Sequence, residues 1–190
     1  MGFPENVERW RYNVQIAITK ASVSAKYDPV TILTESGLTV TQFINYVLGI
    51  IEKESRGNQF CLGDLLSGQS IPRQPKNIVE ATGWIERANS IGLMQLNYGV
   101  GTPQDMGYAG DKVGLTDPDV NVYFGIQYFL DELNRYRSDY NDLQEALSAY
   151  NAGHAIVSNK ASYVDAIIQF VTDAVDAAGG GATDEGEKKT

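Results

Sequence analysis

The stretch that decides the fold is Thr41 to Ser55, TQFINYVLGIIEKES. Apolar residues fall at three- and four-residue steps, with Phe43, Ile44, Val47, Leu48 and Ile51 on one face, and that period predicts an amphipathic helix over 41–55 with Thr41 as its N-cap. Followed from Val40 through Ile44, Val47 and Ile51, the buried stripe lands next on Glu54, whereas Glu52 and Lys53 fall on the outer faces. A carboxyl group at the end of an apolar stripe is partly desolvated, which disfavours its charged form and raises its pKa. Held protonated near neutral pH, such a group can donate a proton to a leaving oxygen. The plainer alternative is a Glu54 that frays outward into water at the helix end.

The composition narrows the setting. The chain has 190 residues, with 43% hydrophobic and 21% charged, close to an average globular protein. Fifteen Lys and Arg against 24 Asp and Glu give a formal charge of −9. That balance argues against nucleic acid, whose binding rests on neutralising phosphates, and against anionic membrane surfaces. One cysteine, Cys61, cannot form an internal disulfide, and one histidine, His154, cannot build a His-rich metal cluster. Cys61 has no basic neighbour in sequence to lower its pKa and is read as inert, and His154 as structural. No run approaches the length of a membrane span, and the first residues lack the basic and apolar regions of a signal peptide. Neither a metal nor a cofactor is expected, and a monomer is.

Helical patterns dominate the remainder. Pro4, Glu5 and then Val7, Trp10 and Val14 predict an N-terminal helix over 4–27, which a polar stretch with Asp28, Pro29 and Gly37 brings to an end. Residues 56–90 carry glycines, Pro72 and Pro75 with no sustained period, so a long irregular loop is expected, with a short helix near 76–87. Asp117-Pro118-Asp119 opens a helix bearing Val122, Ile126, Phe129, Leu130 and Leu133. Asn141 or Asp142 caps a helix that stops at Gly153, and Ser162 starts a last one with Val164, Ile167, Ile168, Val171 and Val175. The expected organisation is one mainly α domain over 1–178, with the N-terminal helix packed on it, and a disordered polar tail over 179–190.

Four segments occur in order: Glu54-Ser55, Gly92-Leu93-Met94-Gln95, Asn121-Val122 with Gly125, and Ala149-Tyr150-Asn151-Ala152-Gly153, with Tyr163-Val164 behind them. This set resembles the soluble lytic transglycosylase (SLT) catalytic domain, a lysozyme-like all-α fold acting on bacterial peptidoglycan, over roughly residues 43–170. Physical readings of the segments agree with it. Gly92 permits close approach of the backbone to a ligand, and the Gln95 amide can donate and accept together, as recognition of an acetamido group requires. Tyr150 lies on an apolar face, so its hydroxyl needs a polar partner. Met94 is either core or a substrate contact through its carbonyl, and Asn151 either a helix cap or a substrate contact. The resemblance implies an aromatic in the cleft at Tyr163, while Gly125 suits close helix packing.

The resemblance also implies a mechanism with a single carboxylate, Glu54, which cleaves the β-1,4 link between N-acetylmuramic acid and N-acetylglucosamine and leaves 1,6-anhydromuramoyl ends without water. Goose-type lysozymes share the fold and hydrolyse the bond. In that alternative Glu86, six positions before Gly92, is the possible second carboxylate, although Asn97 stands where a further acid would be needed. Asp64 and Glu80, both in the long loop, can also approach the cleft. A third reading is an inactive wall-binding relative. The glycan strands of peptidoglycan are the expected partner. With no leader present, a phage enzyme released by a holin or carried in the virion, or a piece of a secreted protein, fits a substrate outside the cytoplasm.

Overall fold

The computed structural model describes residues 2–24, 28–136, 142–153 and 160–179. It is mainly helical. In chain order α1 spans Glu5–Glu8, α2 Arg11–Ser24, α3 Pro29–Glu35 and α4 Val40–Ser55; β1 spans Leu62–Leu65 and α5 Ile78–Thr82. A 3₁₀ turn at Ile85–Arg87 leads into β2, Ala88–Ile91, and β3 is Leu96–Asn97. Then come α6 Thr102–Asp105, a 3₁₀ turn at Gly114–Thr116, α7 Pro118–Tyr136 and α8 Asp142–Ala152. A π turn over Lys160–Val164 leads into α9, Asp165–Gly179. The residues expected to form the polar tail, apart from Gly179, and His154 lie outside the described residues.

Helix α4 forms where its periodicity predicts but starts one residue earlier, with its cap two residues earlier. Thr39, not Thr41, is the N-cap, because it completes a reciprocal box with Gln42: the Gln42 N–H donates to the Thr39 hydroxyl (3.2 Å) and the Thr39 N–H to Gln42 Oε1 (2.9 Å). Phe43, Val47, Leu48, Ile50 and Ile51 are fully buried. Phe43 stacks on Phe129 of α7 at 5.4 Å between ring centres. On the other flank α9 comes so close that a Cβ at Gly49 would lie 3.0 Å from Ile167 Cγ2. The single helix expected over 4–27 is instead two, α1 and α2, broken at Arg9 and Trp10, and Val7, Trp10 and Val14 join this same core.

The chain leaves α4 through Arg56 and Gly57, both in left-handed conformations (φ 51 and 72). The N-terminal segment clasps that turn. Asn6 Nδ2 donates to the Arg56 carbonyl (2.5 Å), and the Arg9 guanidinium and the Trp10 indole both donate to the Gly57 carbonyl (3.0 Å each). A Cβ at Gly57 would sit 2.0 Å from the Asn6 carbonyl oxygen, so only glycine fits.

Two further expectations need correction. The Asp28-Pro29 stretch does not merely end a helix; it starts α3, with Asp28 accepting from the Val30 N–H (3.2 Å) and from the Thr31 hydroxyl (2.8 Å). Nor is 56–90 wholly irregular. It supplies β1 and β2 of an antiparallel sheet ordered β1-β2-β3, with Gly63 opposite Ser90 and Ser90 opposite Asn97. Gln74 acts as a substitute strand beside β1, accepting from the Leu62 N–H and donating to the Leu62 carbonyl (2.9 Å each), and so folds the rest of the segment back. Leu62, Ile85, Ala88, Ile91, Leu96 and Leu115 form a small second core under the sheet. The expected helix near 76–87 is α5 plus the 3₁₀ turn, and the last helix begins only after the π turn.

Candidate active site

Between the helical core and the sheet lies a cleft of about 530 Å³. Its helical wall carries Glu54, Tyr128, Tyr150 and Asn151, and its sheet wall Asp64, Ser90, Gln95, Leu96 and Asn97, with Val100 and Thr102 at the edge. The end of α4 delivers Glu54 to this boundary, where the buried stripe runs out into the cleft and leaves the residue half-buried. Burial pushes its carboxyl up from 4.5 to about 7, and the negative charge of Asp64 adds to that; hydrogen bonds from Tyr163 and Asn151 and the charge of Lys53 pull the other way. The Tyr163 hydroxyl donates to Glu54 Oε1 from the π turn ahead of α9, a backbone irregularity of the kind that recurs at functional sites. Glu54 therefore holds a proton up to neutral pH with its carboxyl oriented.

Tyr150 lines the cleft, and its hydroxyl finds the polar partner its burial demands, the Met94 carbonyl at 2.8 Å. Burial, and after it the neighbouring Glu54, holds both Tyr150 and Tyr163 well above the usual phenol range, so both are neutral donors. Asn151 lines the cleft from the end of α8.

Several expected substrate contacts are placed differently. Met94 is fully buried with its side chain against Gly125, where a Cβ would lie 2.4 Å from its sulfur; it packs the core and does not line the cleft. Tyr163 is buried behind Glu54 and does not line the cleft either. Gln95 does reach the cleft, but its amide N–H₂ is committed to the carbonyls of Cys61 (3.0 Å) and Gly92 (2.9 Å), tying the residue just before β1 to the turn before β3. Gly92 (φ 84) makes room for Asn121 and not for a ligand: a Cβ there would lie 2.3 Å from Asn121 Nδ2. Glu86 is exposed on the 3₁₀ turn, outside the cleft lining, with its backbone carbonyl taken by Lys112 (3.1 Å). Glu80 is bound by Arg73 at 3.0 Å, also away from the lining. Of the loop carboxylates only Asp64 enters the cleft.

Sequence reasoning gave no role to Asn121, yet it organises the whole turn. Fully buried on α7, it accepts from the Met94 N–H (2.8 Å) and donates to the carbonyls of Ile91 (2.8 Å) and Leu115 (2.9 Å). A buried asparagine is costly unless every group is paired, and here the turn itself does the pairing. Glu52 was also misjudged as an outer residue, because Oε2 is buried without a hydrogen-bond partner among the described residues and burial raises its pKa. Cys61 is pushed up to about 11 by burial and by the nearby Glu54, which leaves it as thiol. Among the described residues no group of His, Cys, Asp and Glu is arranged to hold a metal ion.

Nothing matches the chain significantly among curated proteins or among solved structures. The family model described as transglycosylase SLT domain matches residues 41–169, from the first turn of α4 into α9. That span exceeds half of the chain and contains Glu54, the Gly92–Gln95 turn, Asn121, Tyr150 and Tyr163. With its mainly helical architecture, the chain belongs to the transglycosylase SLT domain family, within the lysozyme-like superfamily.

Proposed function

We propose that this protein is a peptidoglycan lytic transglycosylase in which Glu54 alone serves first as general acid and then as general base. Membership of the family supports action on peptidoglycan. The observation that carries the finer reading is the Glu54 carboxyl, raised to about 7 by burial at the mouth of an open polar cleft. In the neutral form Glu54 gives its proton to the glycosidic oxygen between N-acetylmuramic acid and N-acetylglucosamine as the bond from that oxygen to C1 breaks. The muramoyl acetamido oxygen shares the positive charge left on C1. Glu54, now a carboxylate, takes the proton of the C6 hydroxyl as its oxygen closes on C1, which yields a 1,6-anhydromuramoyl end and restores the acid. Tyr163 keeps Oε1 oriented through both steps.

A two-acid hydrolase is the second reading, and one observation favours it: Asp64 lies in the same cleft. Glu86 does not support it. Mass spectrometry of fragments from digested peptidoglycan separates the two. Muropeptides one water lighter than hydrolysis products are expected, whereas reducing ends of full mass would replace the transglycosylase with the hydrolase. The retained Glu54–Tyr163 pair supports an enzyme over an inactive wall-binding relative. Among the described residues no helix is long and apolar enough to cross a membrane. We place its action at the cell wall, reached through phage lysis, a virion or a secreted parent protein.

A further inference from the structure

Asp64 is the carboxylate that this acid–base scheme leaves unused. It sits in β1 with φ 46, in the left-handed region that aspartate and asparagine tolerate better than other side chains. Its Oδ2 accepts from the Ser90 hydroxyl and from Asn97 Nδ2 (3.3 Å), donors supplied by β2 and β3. Ser90 stands in register with both Gly63 and Asn97, so the sheet itself sets the direction of the carboxylate. Both bonds fall on Oδ2, and Oδ1 accepts none from a described residue. The residue is exposed and lines the cleft opposite Glu54, near enough for its charge to act on the Glu54 carboxyl. An oriented carboxylate oxygen facing a binding cleft is fitted to accept a hydrogen bond from the ligand.

Resting on the single-acid reading, we propose that Asp64 is a substrate-orienting carboxylate whose Oδ1 accepts the N–H of the muramoyl 2-acetamido group and turns its carbonyl oxygen towards C1. A sugar hydroxyl would be served as well by a neutral side chain such as Ser90 or Asn97 in the same wall. The acetamido nitrogen differs, because it gains positive charge as the carbonyl oxygen leans on C1, and a fixed negative charge stabilises that change specifically. No proton moves to Asp64. The N–H stays on nitrogen while the bond from C1 to the glycosidic oxygen breaks and Glu54 supplies that oxygen with its proton. When the C6 oxygen bonds to C1 and Glu54 takes the hydroxyl proton, the acetamido group returns to its neutral form. Asp64 leaves the cycle unchanged.

The test is Asp64→Asn in the full chain. Asparagine tolerates the same left-handed backbone, and its carbonyl can still accept from Ser90 and Asn97. On purified glycan strands kcat should fall by about 100-fold, in the range for loss of an oriented charge-stabilising group, with KM changed by less than about threefold. Products should remain anhydro ends, and the alkaline limb of kcat/KM should move to lower pH, because a charge that raises Glu54 is gone. Binding of a muramic-acid thiazoline, whose ring nitrogen when protonated beside the carboxylate stands for the acetamido N–H, should weaken about tenfold or more, the cost of a lost charged hydrogen bond. Ser90→Ala, which lets the carboxylate swing, should lower kcat less. Unchanged kcat or unchanged thiazoline affinity in Asp64→Asn overturns the proposal and leaves the single-acid reading standing. Full-mass reducing ends from the wild type overturn both, and their loss in Asp64→Asn would make Asp64 a water-positioning base.

Discussion

The two walls of the cleft are built by different physics. The helical wall presents Glu54 and Tyr150 from α4 and α8, each placed by the period of its own helix and backed by the large apolar core. The sheet wall presents Asp64, Ser90 and Asn97 from strands of four, four and two residues, and Gln95 from the turn before β3, over a core of six buried side chains. On the first wall a carboxylate is stripped of water and keeps its proton; on the second a carboxylate stays exposed and is steered by two donors. One side is suited to moving a proton and the other to holding the sugar that receives it. A deep apolar core can hold a carboxyl protonated, whereas a thin sheet can only orient one.

Glu54→Gln should break the helical wall most completely. Activity on peptidoglycan should fall by about a hundred- to ten-thousand-fold, as expected for loss of a general acid. The same variant should be the more stable protein at high pH. Folding raises Glu54 from 4.5 to about 7, so the folded state binds more protons than the unfolded state between those values, and stability drains away as pH rises through that window. Glutamine escapes this, so its advantage should reach at most about 3 kcal/mol above pH 8 and vanish near pH 4. Urea denaturation at the two pH values measures it, and equal stability at both would refute the assigned burial penalty.

Asn121→Ala tests what joins the walls. It takes this partner from the Met94 N–H in the turn that carries Gln95, from the Ile91 carbonyl at the end of β2 and from the Leu115 carbonyl in the 3₁₀ turn before α7, and should cost about 2–4 kcal/mol in chemical denaturation. Loss of activity should accompany it even though Asn121 does not line the cleft. Less than about 1 kcal/mol would mean the turn stands without it.

Tyr163→Phe should act more gently. It removes a hydrogen bond that lowers the Glu54 pKa, so the alkaline limb of the pH–rate profile should move upward, opposite to the shift expected for Asp64→Asn. Limbs moving the same way in both variants would contradict the assignment of these groups to opposite electrostatic roles. The fall in kcat, of about tenfold, should be smaller than for Glu54→Gln.

The helical wall was legible in sequence because its information is local. The stripe that ends on Glu54 can be counted along fifteen residues, and the Asp117-Pro118 start of α7 follows from its own cap, in which Asp117 accepts from the Asp119 N–H at 2.9 Å. The same Asp-Pro signal at Asp28-Pro29 resembles a stop because polar residues surround it, yet it caps α3. The sheet wall was not legible. Its strands are too short to show alternation, and the partners of Asp64 lie 26 and 33 positions away. Gln95 and Tyr163 stand out by motif, but their neighbours differ from those expected, since residue type says what an amide or a phenol can bond and not which carbonyl or carboxylate reaches it first. Asn121, quoted in the motif, had a purpose visible only once three separate backbone groups converged on it.

The clasp on the Arg56–Gly57 turn has a consequence for inheritance. The shared pattern begins at residue 41, but the turn that ends the Glu54 helix is gripped by Asn6, Arg9 and Trp10, which lie before it. The placement of Glu54 thus depends partly on residues that lie before the matched span. A change in residues 6–10 would alter the stiffness behind Glu54 while every residue of the matched span stays the same.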